Sequence, residues 1–101
     1  MKIENPITTE LLEWQGIALL VSCQRKYLGT EGMTHLSIQV LGTKHHRLPI
    51  TETGYRSHFE SEAEIAKRGG PLAYVRAWLD AEAATPEWQV QEVKHRQLSL
   101  F

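Results

Sequence analysis

The chain holds a single cysteine, Cys23, in 101 residues. One thiol cannot form an internal disulfide, and it cannot supply the thiolates of a typical structural zinc site. No apolar run approaches the ~20 residues needed for a membrane-spanning helix, so no membrane partner is expected. The opening Met1-Lys2-Ile3-Glu4-Asn5-Pro6 lacks the basic start and apolar stretch of a secretion signal, which makes the cytoplasm the expected address. Repeats and low-complexity tracts are absent. A strong charge of either sign is also missing, since the formal net charge is −1. What is present is ordinary for a folded domain: 42% hydrophobic and 23% charged residues, with three tryptophans to furnish a small core.

The charge is unevenly spread. Residues 25–59 carry five Lys/Arg against two Glu, together with four of the five histidines. The segments on either side are net acidic, so the middle third is the candidate basic surface.

The patterning predicts an α+β domain over residues 1–93, with a C-terminal tail over 94–101. In the domain, a small, mostly antiparallel sheet of three to four strands is packed by two or three helices. Thr8 to Trp14 reads as a short helix or a lead-in. Gly16 to Cys23 is apolar enough for a buried strand, and Arg25 to Gly32 for a loop. His35 to Val40 alternates, with Leu36, Ile38 and Val40 on one face and His35, Ser37 and Gln39 on the other. After a polar turn, extended character resumes from Leu48 to Phe59, with Gly54 as a bulge. There, Tyr55, Ser57 and Phe59 share one face, and Arg56 and His58 the other.

Ser61-Glu62-Ala63-Glu64 has the form of a helix capping box, and Gly69-Gly70 stops that helix. Pro71 suits the first position of the next, whose Leu72, Val75 and Leu79 form one stripe beside Trp78. Thr85-Pro86 ends it. Trp88 and Val90 alternate, so residues 87–93 read as a strand, with a helix opened by Thr85-Pro86-Glu87 as the alternative.

The last five residues are Gln97-Leu98-Ser99-Leu100-Phe101. At all five positions they resemble the peptide by which bacterial polymerases, translesion polymerases, mismatch-repair proteins and replication-initiation regulators bind the DNA-polymerase sliding clamp. Average residue frequencies put a chance match at about 10⁻⁶ per starting position. A terminal peptide is free to leave its domain and insert elsewhere. The resemblance implies Leu100 and Phe101 as apolar anchors in a pocket, with Leu98 as a smaller contact. It implies Gln97 as a two-headed amide at the pocket's rim and Ser99 as a solvent-facing spacer. The competing reading makes Leu98, Leu100 and Phe101 an edge strand that closes the core.

A second likeness covers about half the chain. Leu48 to Phe59, Gly69-Gly70-Pro71 and Tyr74 to Asp80 are similar to segments of small proteins of bacterial plasmids and integrative elements, a group that brings no assigned activity. The expected function is therefore that of a non-enzymatic accessory protein of a mobile element. It would bind the sliding clamp, either to be recruited to replicating DNA or to compete there.

Two rivals rest on other residues. Arg25, Lys26, Lys44, Arg47, Arg56 and His58 are candidate nucleic-acid contacts, with Tyr27 and Tyr55 as stacking surfaces. DNA is thus a second candidate partner. Arg56 and His58 would also be the pair for a small toxin or nuclease-like enzyme, although two groups without a third make a weak site. His45-His46 with His35 or His58 lack a carboxylate or Cys at a metal-ligand spacing. No metal, cofactor or catalysis is expected, and Cys23 lies in an apolar run where burial disfavours its thiolate.

Overall fold

A computed structural model describes residues 7–25, 32–42, 48–51 and 53–98, with side chains as far as residue 94. Four strands come first: β1 (Ile7–Trp14), β2 (Ile17–Arg25), β3 (Met33–Val40) and β4 (Tyr55–Ser61). Three helices follow: α1 (Glu62–Lys67), α2 (Pro71–Ala83) and α3 (Pro86–Leu98). The strands form one antiparallel sheet in the order β1-β2-β3-β4. The expected α+β class and antiparallel sheet are what the chain adopts.

The N-terminal segment is a strand, not a helix or a lead-in. β1 pairs with β2 along its whole length, from Ile7 opposite Gln24 to Trp14 opposite Ile17. Gln15 and Gly16 make the turn, with φ of 48° and 80°. Positive φ at both central residues is what a two-residue hairpin of type I′ needs for its twist to match the strands. Only Leu12 and Trp14 of this strand are buried, so its sequence carries little of the alternation that marks a half-buried strand.

β2 and β3 bury Leu19, Val21, Cys23, Thr34, Leu36 and Ile38 on one face. His35, Ser37 and Gln39 stand on the other, as the alternation predicts. β4 is shorter than expected and begins at Tyr55 rather than Leu48. Leu48 and Thr51 instead close a tight turn through two backbone hydrogen bonds, of 2.9 and 3.1 Å, which turns both Leu48 and Ile50 inward. Gly54, at φ 88°, gives its carbonyl to the amide of Val40 and starts the ladder from there.

The helices cover the Leu19/Leu36 face only. Ser61 caps α1 by accepting from the Glu64 amide at 3.2 Å. The return half of the capping box is not made by Glu64, because Glu60 accepts the Ser61 amide at 3.1 Å instead. Pro71 begins α2 as expected, and Val75 and Leu79 are fully buried, with Leu72 packed alongside. Trp14 reaches over from β1 and donates its indole N–H to Asp80 at 2.8 Å, which ties the hairpin to α2.

Residues 87–93 are helical, contrary to the strand reading. Thr85 caps α3 by accepting the Trp88 amide at 3.3 Å, and Pro86 fills the first turn, where its missing N–H costs nothing. Trp88 packs against the core while Val90 and Val93, three residues apart on the helix, stay exposed. The apparent alternation of Trp88 and Val90 thus reflected one buried and one exposed helical position. Among the described residues no helix is long and apolar enough to cross a membrane.

Candidate functional site

Two regions bear on function. The first is the end of α3. The helix touches α2, lines a cavity with the Leu48–Thr51 turn through Glu87, Trp88 and Gln91, and runs on through Lys94 to Leu98. Gln97 and Leu98 are its last two residues, and Ser99, Leu100 and Phe101 lie outside the described residues.

The second is the edge of β4, where it faces α2. Period two along β4 puts Arg56, His58 and Glu60 on the helix side of the sheet. His35, Ser37 and Gln39, the open-side residues of β3, pair with Phe59, Ser57 and Tyr55. Because β4 is an edge strand, the helix-side residues reach past the core to the flank of α2. There they meet Tyr74 and Trp78, which are one helical turn apart.

Tyr74 Oη donates to Glu60 Oε1 at 2.7 Å and lies 3.0 Å from His58 Nε2. With its one proton committed to Glu60, the phenol must accept from His58, so Nε2 carries a hydrogen. His58 Nε2 also lies 3.7 Å from Glu60 Oε1. The imidazole packs on Trp78 at 4.4 Å between centroids, and the Arg56 guanidinium carbon stands 5.5 Å from the centre of that indole.

The electrostatics follow from these bonds. The Tyr74 hydrogen bond, with help from the Ser61 amide and His58, holds the Glu60 carboxyl below the usual carboxylate range. Burial, reinforced by the Glu60 carboxylate, pushes the Tyr74 phenol up to about 12. At neutral pH the cluster therefore consists of an ionised Glu60 and a neutral Tyr74.

Arg56 and His58 thus acquire the partners they lacked as an isolated pair. Glu60, Tyr74 and Trp78 had not been assigned to this site. Glu60 continues the period-two face of Arg56 and His58, but nothing local in the sequence says that α2 lies beneath it. The other candidate contacts are not gathered here. Arg25 ends β2 opposite Thr34, two strands from Arg56 and four positions along β3 from its partner Ile38. Lys26, Lys44 and Arg47 lie outside the described residues, as do Tyr27, His45 and His46. His35 hydrogen-bonds Ser57 at 2.6 Å on the open face, opposite to His58, so those two histidines do not converge. Burial raises the Cys23 thiol, most of all by desolvation.

A family model described as KlcB third domain matches residues 7–88. The match runs from the first strand into the opening turn of α3 and stops short of Gln97 to Phe101. No curated protein and no solved structure matches the chain.

Proposed function

The chain belongs to the KlcB third-domain family, and from that premise we propose that it is an accessory domain docking to the bacterial sliding clamp through Gln97, Leu98, Ser99, Leu100 and Phe101. Family membership is compatible with a small plasmid-associated accessory protein. The observation that carries the finer reading is the five-position match of this peptide, whose first two residues end α3. The peptide lies beyond the segment shared with the family, so this reading assigns docking to an appendage and leaves the folded domain free for other contacts.

The energetics are those of a short anchored peptide. Burying Leu100 and Phe101 contributes roughly 1.5–3 kcal/mol each before ordering costs. With Leu98 and the Gln97 amide added, and the entropy of a free chain subtracted, micromolar affinity of about −7 to −9 kcal/mol is expected. Gln97 and Leu98 end α3, so a pocket that takes the peptide extended must also unwind the helix's last turn, which trims the affinity of the intact chain.

Calorimetry with purified clamp tests this. Phe101→Ala and Leu100→Ala should each remove about 2 kcal/mol or more, Gln97→Ala less, and Ser99→Ala almost nothing. The intact protein should displace a polymerase's own clamp peptide. Absence of binding at tens of micromolar clamp, or a flat alanine profile, overturns the reading.

A further inference from the structure

The flank of α2 beside β4 carries more than the Glu60–Tyr74–His58 chain needs. Tyr74, Ala77, Trp78 and Ala81 recur at helical spacing and form a stripe beside the buried Val75/Leu79 stripe. With Arg68, at the C-terminus of α1, they line a cavity of about 190 Å³. The two alanines give it a shallow floor, and the two aromatic side chains give it a wall. Trp78 and Tyr74 are only partly buried, and their rings are 6.3 Å apart between centroids.

Two cations border this wall. Arg68 lines the cavity itself, and Arg56 lies by the Trp78 indole. Neither forms an ion pair with a described residue. Glu60 accepts from the Tyr74 hydroxyl and the Ser61 amide but keeps its negative charge, which opposes an anion on this flank. Glu64 is the remaining carboxylate near Tyr74, and it opposes an anion there.

The geometry points to this strip as a binding site for one nucleotide of an unpaired nucleic-acid strand. The base lies over Ala77 and Ala81 against Trp78 and Tyr74, and the flanking phosphates lie on Arg56 and Arg68. The combination of features selects this ligand. A lone phosphate would leave the aromatic wall unused, and an uncharged apolar molecule would leave both guanidiniums unused. A duplex hides its base faces in the stack. The cavity is also smaller than the roughly 300–1,000 Å³ that drug-sized ligands occupy. Stacking on an aromatic side chain tolerates any base, and arginine adds the backbone contacts, so the site reads strandedness rather than sequence. With Glu60 and Glu64 opposing, the affinity is modest. The site is independent of clamp docking and survives its failure.

Fluorescence anisotropy of the full chain with a labelled oligothymidine of about eight nucleotides, at about 50 mM salt, tests the site. Arg56→Gln and Arg68→Gln should each weaken binding about three- to tenfold and flatten the salt dependence by about 0.7 in log–log slope. Ala77→Leu fills the cavity without touching a charge. It should weaken binding about tenfold, within the range expected for a lost base stack, and leave the slope unchanged. Ala81→Leu, at an exposed position, repeats this test should Ala77→Leu lower the melting temperature. An oligouridine that binds equally or better also supports the site, because stacking tolerates any base. No binding by the wild type, equal binding of a duplex of the same length, or wild-type affinity in a folded cavity-filled variant overturns it.

Discussion

Tyr74 is the residue whose bonds hold the edge of the sheet to α2. It donates to Glu60 and accepts from His58, and its phenol stays neutral until about pH 12. Glu60 titrates below its usual range in the folded chain, so the stability it contributes is present above the unfolded carboxyl pKa. That contribution is lost as pH falls through the folded value. Tyr74 has the opposite sign: its contribution is full below the unfolded phenol pKa and disappears as pH rises through 12. Tyr74→Phe should therefore cost about 1 kcal/mol at pH 7, the usual net worth of a hydrogen bond to a partly exposed partner. The difference from wild type should shrink as pH falls from 7 through the folded Glu60 value, where the carboxylate is lost. Denaturant unfolding across that range checks it, and a cost that does not change with pH would show that Tyr74 acts by packing alone.

Among the elements, α3 depends most on local chemistry. It touches α2 and lies beside the Leu48–Thr51 turn, with Trp88 as its apolar anchor. Thr85 supports its start twice, by accepting the Trp88 amide and by donating its hydroxyl to the Glu82 carbonyl at 2.8 Å. Thr85→Ala should cost about 1 kcal/mol, typical of a lost N-cap, and should speed hydrogen exchange in α3 more than in the sheet. Uniform acceleration across the sheet would mean that α3 is integral to the cooperative core.

At the scale of the whole molecule, the helices bury one face of the sheet and leave the other exposed. Ile7, Leu11, Tyr55 and Phe59 are each at least half exposed, while the core lies between the sheet and α2. If Gln97 to Phe101 dock elsewhere and are not core, deleting those five residues should move the melting temperature by no more than about 2 °C. The same deletion should abolish clamp binding and leave oligonucleotide binding unchanged. A large fall in melting temperature would make the segment part of the core and favour the edge-strand reading.

Where a pattern is local, the sequence alone determined the outcome. The alternation of Leu36, Ile38 and Val40 marked β3, because a half-buried strand must alternate. Ser61, Gly69-Gly70 and Pro71 marked the limits of α1 and α2, because caps and positive φ act within a few residues. The resemblance of Gln97 to Phe101 to a docking peptide was legible for the same reason, being contiguous. Tertiary structure decided the rest. β1 is a strand because β2 supplies its hydrogen-bond partners, although only Leu12 and Trp14 face the core. For residues 87–93 the local cap at Thr85-Pro86 supplied the helix that the sequence offered as an alternative, and tertiary structure decided that Trp88 packs on the core while Val90 stays exposed. Glu60, Tyr74 and Trp78 join His58 and Arg56 because an edge strand and a helix 14 to 22 residues further on in sequence are packed side by side. No spacing along the chain encodes that adjacency, since it arises only when α2 buries Val75 and Leu79 against the sheet and carries its flank to the edge.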